Sequence, residues 1–227
     1  MAATALVLFD IDGTLLRRSG QHHKDALVEG IRRVAGVAAS FDNLPTAGML
    51  DCDLLHLLLG SYGMEPHAIH AALPDLITAA QQAYIENCPP HLADNVCPGV
   101  VELLNTLTSH KVAIGLVTGN LKVIGWKKME LAGLHHHFQV GGFSEQHATR
   151  AQLAKAAIRE ARDSGLIEGT ARISLIGDHP NDIQAARLNG IQAIATATGV
   201  TPWEELQAAG PDILVRDLSE LDVSQLL

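Results

Sequence analysis

Residues 6–16 of this chain read Leu-Val-Leu-Phe-Asp-Ile-Asp-Gly-Thr-Leu-Leu. The stretch begins as an uninterrupted apolar run and then meets two aspartates, Asp10 and Asp12. The run from Thr4 to Phe9 has the length and composition of a strand that is buried on both faces, as strands of a parallel sheet are. The sequence therefore predicts a buried strand that ends at Asp10.

The two aspartates lie where open α/β sheets usually bind ligands, at the carboxyl end of a strand. Gly13 follows them and allows a sharp change of chain direction. Two carboxylates at such a turn can share one hard cation, because Mg²⁺ prefers a few carboxylates together with waters and phosphate oxygens. An Asp-Gly dipeptide alone would equally suit an ordinary solvated turn, so the interpretation depends on residues further along the chain.

The composition allows a sizeable core and limits the classes of partner. The chain has 227 residues, 47% of them hydrophobic, which suits one large domain or a core with a smaller inserted domain. Its 16 basic and 25 acidic residues give a formal charge of -9. That charge disfavours binding to nucleic acid or to an anionic membrane. An anionic substrate would need a local positive group, such as a metal ion or a helix N-terminus.

The cysteines and the apolar stretches indicate a cytoplasmic protein. Cys52, Cys88 and Cys97 lack the Cys-x-x-Cys spacing of metal and redox sites, and reduced thiols are the simplest interpretation. No basic segment precedes the first apolar run, so we expect no signal peptide. No apolar stretch is long enough to span a bilayer.

The segment 17–94 carries helical patterns and no convincing strand. Apolar residues recur there at helical spacing, and the Cys-Pro-Pro sequence at 88–90 ends the last helix. Residues 15–20 read as a linker into this segment. We therefore expect an all-helical cap domain at 17–94. Its predicted helices are 21–37, 53–59, a short helix from Pro66, and a helix from Pro74 or Asp75 to Asn87.

Strands and helices alternate from Pro98 onwards, which favours a parallel sheet with right-handed crossovers. The predicted fold is therefore α/β, with a Rossmann-like, doubly wound parallel sheet as the core at 1–16 and 95–227. The cap would be inserted between these two segments. The further predicted strands are 111–117, 138–142, 171–176, 192–196 and 212–215, and the predicted helices are 99–109, 121–131, 149–164, 181–189, 202–209 and a short terminal helix at 217–226.

Three of the predicted strands end in polar residues. The first ends at the two aspartates, the second in Thr-Gly-Asn at 118–120, and the fourth in Gly-Asp-His-Pro-Asn-Asp at 177–182. Because the carboxyl ends of parallel strands lie at one edge of a sheet, these side chains should converge. Such a cluster of carboxylates is costly unless a cation neutralises it.

These motifs resemble those of the haloacid dehalogenase superfamily, in its phosphatase branch with a helical cap. Asp-x-Asp-Gly-Thr-Leu at 10–15 resembles the first motif of the family and Thr118 the second, while Asp178 and Asp182 resemble the fourth. The helical segment at 17–94 lies where the family inserts its cap. The resemblance covers essentially the whole chain.

The resemblance implies roles for the residues of the first two motifs. Asp10 would be the nucleophile, whose carboxylate attacks phosphorus and forms an aspartyl-phosphate. Asp12 would be the general acid for the leaving alkoxide and then the general base for water. Thr118 would bind a phosphoryl oxygen together with loop amides around Asp12 and Gly119, and Asn120 would line the same site.

The resemblance also implies a Mg²⁺ site. The ion would be held by the side chain of Asp10, the backbone carbonyl of Asp12 and the side chain of Asp178. Asp182 would support these ligands directly or through water.

The third motif departs from the family pattern, which usually supplies a lysine. Here no lysine precedes the helix that follows residues 141–149. Arg150, in the first turn of that helix, resembles the arginine of a variant branch, and a guanidinium can clamp phosphate in a bidentate manner. Lys155 is the alternative, and an ordinary solvated helix position is the other interpretation of Arg150.

The loop at 45–51 resembles a cap segment that faces the active site in this family. Gly48, Met49 and Asp51 are its candidate substrate-binding residues. Gly48 would allow close approach of the backbone to a ligand, whereas Asp51 would alternatively cap the next helix. Lys24 is the only lysine of the cap, so the cap offers little positive charge for a second acidic group.

Two histidine features remain open at the level of sequence. His179 follows Asp178 directly and either tunes the metal site or is solvent-exposed. The pair His22 and His23 lies near the predicted hinge of the cap and suits its surface.

The leading hypothesis is a Mg²⁺-dependent phosphatase that acts on a small phosphorylated metabolite, in the manner of phosphoglycolate phosphatases. A phosphomutase of the β-phosphoglucomutase type would share every motif. A non-catalytic regulatory protein on the same scaffold is the alternative from another class, because a fold does not guarantee activity. The sequence leaves monomer and homodimer open.

Overall fold

The computed structural model describes residues 2–17, 21–42, 44 and 46–227. Residues 18–20 of the predicted linker and Pro45 of the predicted cap loop lie outside this description. Within it, a single parallel sheet has the strand order β3-β2-β1-β4-β5-β6. The strands are β1 (Ala3–Phe9), β2 (Ala113–Val117), β3 (Val140–Gly142), β4 (Ile167–Gly177), β5 (Gln192–Thr196) and β6 (Ile213–Val215).

The first strand lies in the middle of the sheet, as its continuous apolar sequence predicts. Val7 and Phe9 pack into the hydrophobic cluster on one face of the sheet, while Leu6 and Leu8 pack into the cluster on the other. All four side chains are fully buried. Because β1 pairs with β2 on one side and β4 on the other, the ends of these three strands are adjacent.

Helices cover both faces of the sheet, which confirms the doubly wound α/β fold. Helices α4 (Val100–Ser109) and α5 (Lys122–Leu131) pack on the face of Val7 and Phe9. The opposite face is covered by α6 (Arg150–Asp163), α7 (Pro180–Leu188) and α8 (Trp203–Ala209).

Three helices lie between β1 and α4, namely α1 (His22–Ala35), α2 (Asp51–Ser61) and α3 (Pro66–Asn87). They share a hydrophobic cluster of their own, which Leu121 and Ile124 of α5 join. Helices α1 and α3 pack closely, since a Cβ atom on Gly30 would lie 2.8 Å from the backbone nitrogen of Ala80. The division into a core and a cap at 17–94 stays our interpretation of this arrangement. Among the described residues, no helix is long and apolar enough to cross a membrane.

Several predicted boundaries were wrong for identifiable reasons. Helix α3 runs unbroken through Pro74, where two helices were predicted, because Pro74 is exposed and packing of the helix against α1 outweighs the lost hydrogen bond. The predicted terminal helix at 217–226 is instead two short 3₁₀ turns. Asp217 and Asp222 begin these turns by accepting hydrogen bonds from backbone amides two residues later, which competes with a continuous helix.

Candidate active site

The polar ends of β1, β2 and β4 meet at one edge of the sheet, as the sequence predicted. Asp10 follows β1, Thr118 follows β2 and Asp178 follows β4, and all three side chains are buried. The amide of Asp10 donates a hydrogen bond of 2.9 Å to the carbonyl of Ile176, which links the ends of β1 and β4. These side chains line or flank a cavity of about 390 Å³ between the sheet edge and helices α1 and α2.

Three buried carboxylates form a group at this edge. One oxygen from each of Asp10, Asp178 and Asp182 lies within 4.8 Å of those of the other two. Burial raises the pKa of all three, and repulsion from Asp10 and Asp182 adds to the rise at Asp178, whose pKa reaches about 8. Hard oxygen donors that bind protons this readily are suited to a divalent cation, which would replace the protons.

Arg150 at the start of α6 is the cation that this acidic group contacts. Its Nη1 atom lies 2.9 Å from Oδ1 of Asp10 and 2.7 Å from Oδ1 of Asp182. Burial opposes the guanidinium charge, but the two carboxylates outweigh burial and raise the pKa of Arg150. The structure therefore places Arg150 beside Asp10, whereas Lys155 is exposed and lines a different surface groove.

Asp12 lies apart from this group and has the opposite electrostatic environment. Its carboxylate accepts hydrogen bonds of 2.8 and 2.6 Å from Nζ of Lys128, and one of 2.8 Å from Nδ2 of Asn120. Burial alone would raise the pKa of Asp12, but its interactions with Lys128, His23 and Asn120 together outweigh burial and lower the pKa to about 2. The pKa values of two carboxyl groups in one short loop thus shift in opposite directions because their partners differ.

The hydroxyls at the strand ends are held by neighbouring side chains. Oγ1 of Thr118 accepts a hydrogen bond of 2.8 Å from Nδ2 of Asn120, so Asn120 connects it to Asp12. Thr14 donates to Asp178 over 3.3 Å. Two buried atoms, Oδ1 of Asn120 and Nε of Arg150, have no hydrogen-bond partner among the described residues.

Glycines allow the polar loops to approach one another. Gly13 has a φ of 95°, and a Cβ atom there would lie 2.3 Å from Oδ2 of Asp178. At Gly119 a Cβ atom would lie 2.5 Å from the carbonyl oxygen of Met49. A side chain at Gly13 would therefore push the loop after β1 away from Asp178, and one at Gly119 would push away the loop before α2.

The loop before α2 faces the cavity. Gly48, Met49 and Asp51 all line it, together with Lys24 from α1, whose Nζ atom lies 5.4 Å from the ring centre of Phe41. Asp51 is buried and accepts a hydrogen bond of 2.7 Å from the amide of Leu121 at the start of α5. This bond joins the loop before α2 to the start of α5, which neither of the two predicted roles of Asp51 included.

The backbone at Gly48 approaches a core residue as well as the cavity. A Cβ atom on Gly48 would lie 2.4 Å from the ring of His179. That ring is half-buried, lines the cavity, and accepts a hydrogen bond of 3.2 Å from the amide of Asn181 at the start of α7. His179 therefore lies against the loop before α2 and caps the start of α7.

Two site residues were missed or misjudged from the sequence. Lys128 is fully buried, although a lysine usually is not. The sequence pattern that could have indicated its burial is its place on the apolar side of α5, one turn after Ile124 and beside the charged Lys127. His23 was predicted to be at the surface, but it is half-buried and bonds Asp51, while its neighbour His22 is exposed.

Comparison with known proteins supports the family suggested by the motifs. A family model described as haloacid dehalogenase-like hydrolase matches residues 4–190. A β-phosphoglucomutase from Clostridium difficile has the same fold, with a TM-score of 0.68 at 15% identity over 99% of this chain and 95% of that chain.

Two curated relatives are phosphatases. The chain is 29% identical to a phosphoglycolate phosphatase of Synechococcus elongatus over 149 residues, which are 64% of this chain and 66% of the relative. It is 24% identical to a phosphoglycolate phosphatase of Chromobacterium violaceum over 95% of this chain and 93% of the relative. The chain belongs to the haloacid dehalogenase-like hydrolases, and it is a phosphatase of that family.

Proposed function

We propose that the protein is a Mg²⁺-dependent phosphatase that hydrolyses a small phosphorylated metabolite through an aspartyl-phosphate on Asp10. The observation that carries the proposal is the contrast between two carboxylates of one loop. Asp10 lies with Arg150 and two further acids, and Asp12 lies with Lys128. A pair of acids in such different environments is suited to divided roles, one as nucleophile and one as proton carrier.

In the first step, an oxygen of Asp10 would attack phosphorus while the bond from phosphorus to the ester oxygen breaks. Asp12 would give its proton to the leaving alkoxide. In the second step, water would attack phosphorus of the aspartyl-phosphate while Asp12 takes a proton from the water. The bond from phosphorus to Asp10 would break, which releases phosphate and regenerates the Asp10 carboxylate. The atoms balance as ester plus water giving alcohol plus phosphate.

The charge states of the free enzyme fit the second step more directly than the first. Asp12 is ionised there, with a pKa of about 2. A bound phosphate brings negative charge beside Asp12, and a nearby negative charge raises the pKa of a carboxyl group. Substrate binding itself would therefore favour the protonated Asp12 that the first step needs.

The acidic group fits a divalent metal ion. Asp10 and Asp178 would hold it with their side chains and Asp12 with its backbone carbonyl, while Asp182 would support Arg150 and the site. Such a cation supplies charge neutralisation for the carboxylates and for the transferring phosphoryl group.

Arg150 and the second motif would bind the phosphoryl oxygens. Nε of Arg150 is a buried donor that lacks a partner among the described residues, and the residue lines the cavity. Thr118 and the amides near Gly119 lie at the neighbouring strand end. Positive charge and fixed donors at this point act throughout a phosphoryl transfer, where positioning and electrostatics supply most of the catalysis.

The size of the cavity and the relatives suggest the first substrates to test. A cavity of about 390 Å³ suits a small metabolite. Because two curated relatives are phosphoglycolate phosphatases, 2-phosphoglycolate belongs in the first panel, with sugar phosphates and p-nitrophenyl phosphate.

The test is phosphate release from this panel with Mg²⁺, measured beside Asp10→Asn and with excess EDTA. We expect release from at least one ester, and loss of release in the variant and after chelation. Release by Asp10→Asn at the wild-type rate would refute the nucleophile, and undiminished release after full metal removal would refute the cofactor. A phosphorylated isomer in place of free phosphate would identify a phosphomutase.

A further inference from the structure

Lys128 makes three hydrogen bonds inside the protein. Its Nζ atom donates to both carboxylate oxygens of Asp12, over 2.8 and 2.6 Å, and lies 3.1 Å from Nδ1 of His23. The side chain of Lys128 has no solvent exposure. An ammonium group has three protons, so these contacts use all of them.

These contacts determine the protonation of His23. An ammonium donates hydrogen bonds and accepts none, so Nδ1 of His23 must be the acceptor. The imidazole is then neutral and carries its proton on Nε2. That atom lies 2.8 Å from Oδ2 of Asp51, to which it donates. The result is a hydrogen-bonded chain from Asp51 through His23 and Lys128 to Asp12, with every donor directed to an acceptor.

This hydrogen-bonded chain of side chains connects two parts of the molecule. Asp12 and Lys128 belong to the loop after β1 and to α5, whereas His23 lies on α1 and Asp51 begins α2. Asp51 is itself fixed to the core, because its carboxylate accepts from the amide of Leu121 and its own amide donates to the carbonyl of Gly119 over 2.8 Å. The position of the helices over the cavity and the orientation of Asp12 therefore depend on the same contacts.

We propose that Lys128 is a positioning residue for proton transfer by Asp12, and that it holds Asp12 in place only when His23 and Asp51 complete the chain. This inference rests on the proposed function and deepens it. The alternative is an ion pair that serves stability alone. A buried ion pair is weak evidence for stability, because the cost of removing two charges from water can exceed their attraction.

The first experiment compares Lys128→Met with Lys127→Met. Methionine keeps most of the length of the unbranched side chain and removes the charge and all donors. Lys127 is the matched control, because it precedes Lys128 on the same helix and pairs with Glu130 at the surface. We expect kcat of Lys128→Met on an alkyl phosphate to fall by about 10²-fold, the scale of a misplaced catalytic group, with a small change in KM.

A comparison of two leaving groups distinguishes a role of Lys128 in positioning Asp12 from a role in stability alone. A nitrophenolate needs little protonation, so Lys128→Met should lose much less kcat on p-nitrophenyl phosphate than on the alkyl ester. Lys127→Met should match the wild type on both substrates. An equal loss on both esters would overturn the proposal, since it would mean that Lys128 acts on something other than proton transfer.

The second experiment compares His23→Leu with His23→Gln. Glutamine can accept from Lys128 and donate to Asp51, whereas leucine can do neither. We expect a loss of roughly tenfold or more in His23→Leu on the alkyl ester, on the scale seen for groups that orient site ligands, and substantial recovery in His23→Gln. Equal turnover rates of His23→Leu and His23→Gln on the alkyl ester would contradict the proposal that His23 links Asp51 to Lys128.

A third measurement needs neither metal nor activity. In the metal-free protein, nitrogen-15 NMR of the His23 ring should show protonated Nε2 and unprotonated Nδ1, and Lys128→Gln should shift the Nδ1 resonance. A proton on Nδ1 of the wild type would overturn the proposal even where Lys128→Met does not fold. If the wild type releases phosphate from no ester, the proposed function fails separately, and this spectrum still decides the hydrogen-bonded chain.

Discussion

Asp10 and Asp12 show how the surroundings of a residue determine its chemistry. Both leave the end of one strand within three residues, yet burial beside other acids raises the pKa of Asp10, whereas Lys128 lowers that of Asp12. The sequence named both residues because aspartates after a buried strand are conspicuous. It did not predict that their pKa values shift in opposite directions, because Lys128 comes from a helix more than a hundred residues away.

The first prediction concerns Asp12→Asn. An amide keeps the shape of the side chain but carries no transferable proton, so turnover of an alkyl phosphate should fall by about 10²–10⁴-fold. Formation of the phosphoenzyme, followed by rapid quench, should slow much less with a nitrophenyl ester than with an alkyl ester. Equal slowing on both esters would mean that Asp12 is not the acid.

The second prediction concerns pH and metal. Burial and repulsion raise the pKa of Asp178 from 3.8 to about 8, so between these values the folded protein binds a proton that the unfolded chain has released. The contribution of Asp178 to the stability of the metal-free protein is therefore lost as pH rises through that range. A divalent cation replaces the proton, so Mg²⁺ should raise Tm more at about pH 8 than at about pH 5.

Thermal melts with and without Mg²⁺ at both pH values test this directly, with Asp178→Asn as the control. That variant should be less sensitive to pH when metal-free and should gain less from Mg²⁺. An equal Mg²⁺ effect at the two pH values would show that this acidic group is not the binding site.

At the scale of elements, the conformation of the loop before α2 depends on Gly48. From the sequence, this glycine was predicted to allow close approach of the backbone to a ligand. Gly48 has a φ of 68°, and a Cβ atom there would meet the ring of His179 at 2.4 Å. Gly36 has the same φ of 68°, with nothing within 4 Å of a Cβ atom. The two positions therefore separate backbone strain from steric contact.

The third prediction compares Gly48→Ala with Gly36→Ala. Both should lose about 1–2 kcal/mol of unfolding free energy from the left-handed conformation. Gly48→Ala should in addition raise KM for the metabolite, because the loop must move away from His179 and the cavity. Urea unfolding and steady-state kinetics measure the two effects, and an unchanged KM in Gly48→Ala would show that the loop tolerates the contact.

Helix α3 shows where local signals failed. Pro74 predicted a helix start, since proline lacks the amide that a helix interior needs, yet the helix continues through it. The fourth prediction is that Pro74→Ala stabilises the protein by about 1–3 kcal/mol, because the new amide can bond the carbonyl of His70. Pro66→Ala, at the first turn of the same helix, should change stability little. A destabilised Pro74→Ala in urea unfolding would contradict this account.

At the scale of the whole molecule, the sequence predicted the sheet well and the contacts across the cavity poorly. Alternation of apolar runs with helical patterns is a local signal, and it located β1 and the polar strand ends. The bonds from Asp51 to Leu121 and from Asn181 to Gly48 join segments 70 and 133 residues apart, and no local pattern encodes them. The sequence favoured Arg150 over Lys155 for the third motif, and the structure places Arg150, not Lys155, beside Asp10.

Further long-range contacts hold helices α2 and α3 beside the edge of the sheet, where α1 and α2 form one wall of the cavity. The amide of Cys52 donates to Oγ of Ser144 over 2.9 Å, and the amide of Val123 donates to Oε1 of Gln81 over the same distance. A wall fixed in this way can select substrates by the part of the molecule that lies far from phosphorus, because remote contacts supply binding energy for the reacting centre.

The last prediction concerns Met49, which lines the cavity, and Met64, which does not. Both are partly buried against the same helical cluster, so Met64→Ala is a matched control for lost packing. Met49→Ala should lower kcat/KM for the metabolite by about tenfold, the scale of one apolar contact in a specificity pocket. Its loss on p-nitrophenyl phosphate should be smaller, because that ring cannot reproduce the contacts of the natural alcohol. Met64→Ala should lower Tm without changing the ratio of kcat/KM between the two substrates. If Met49→Ala leaves that ratio unchanged as well, the loop before α2 is a structural element, and selectivity must come from elsewhere in the cavity.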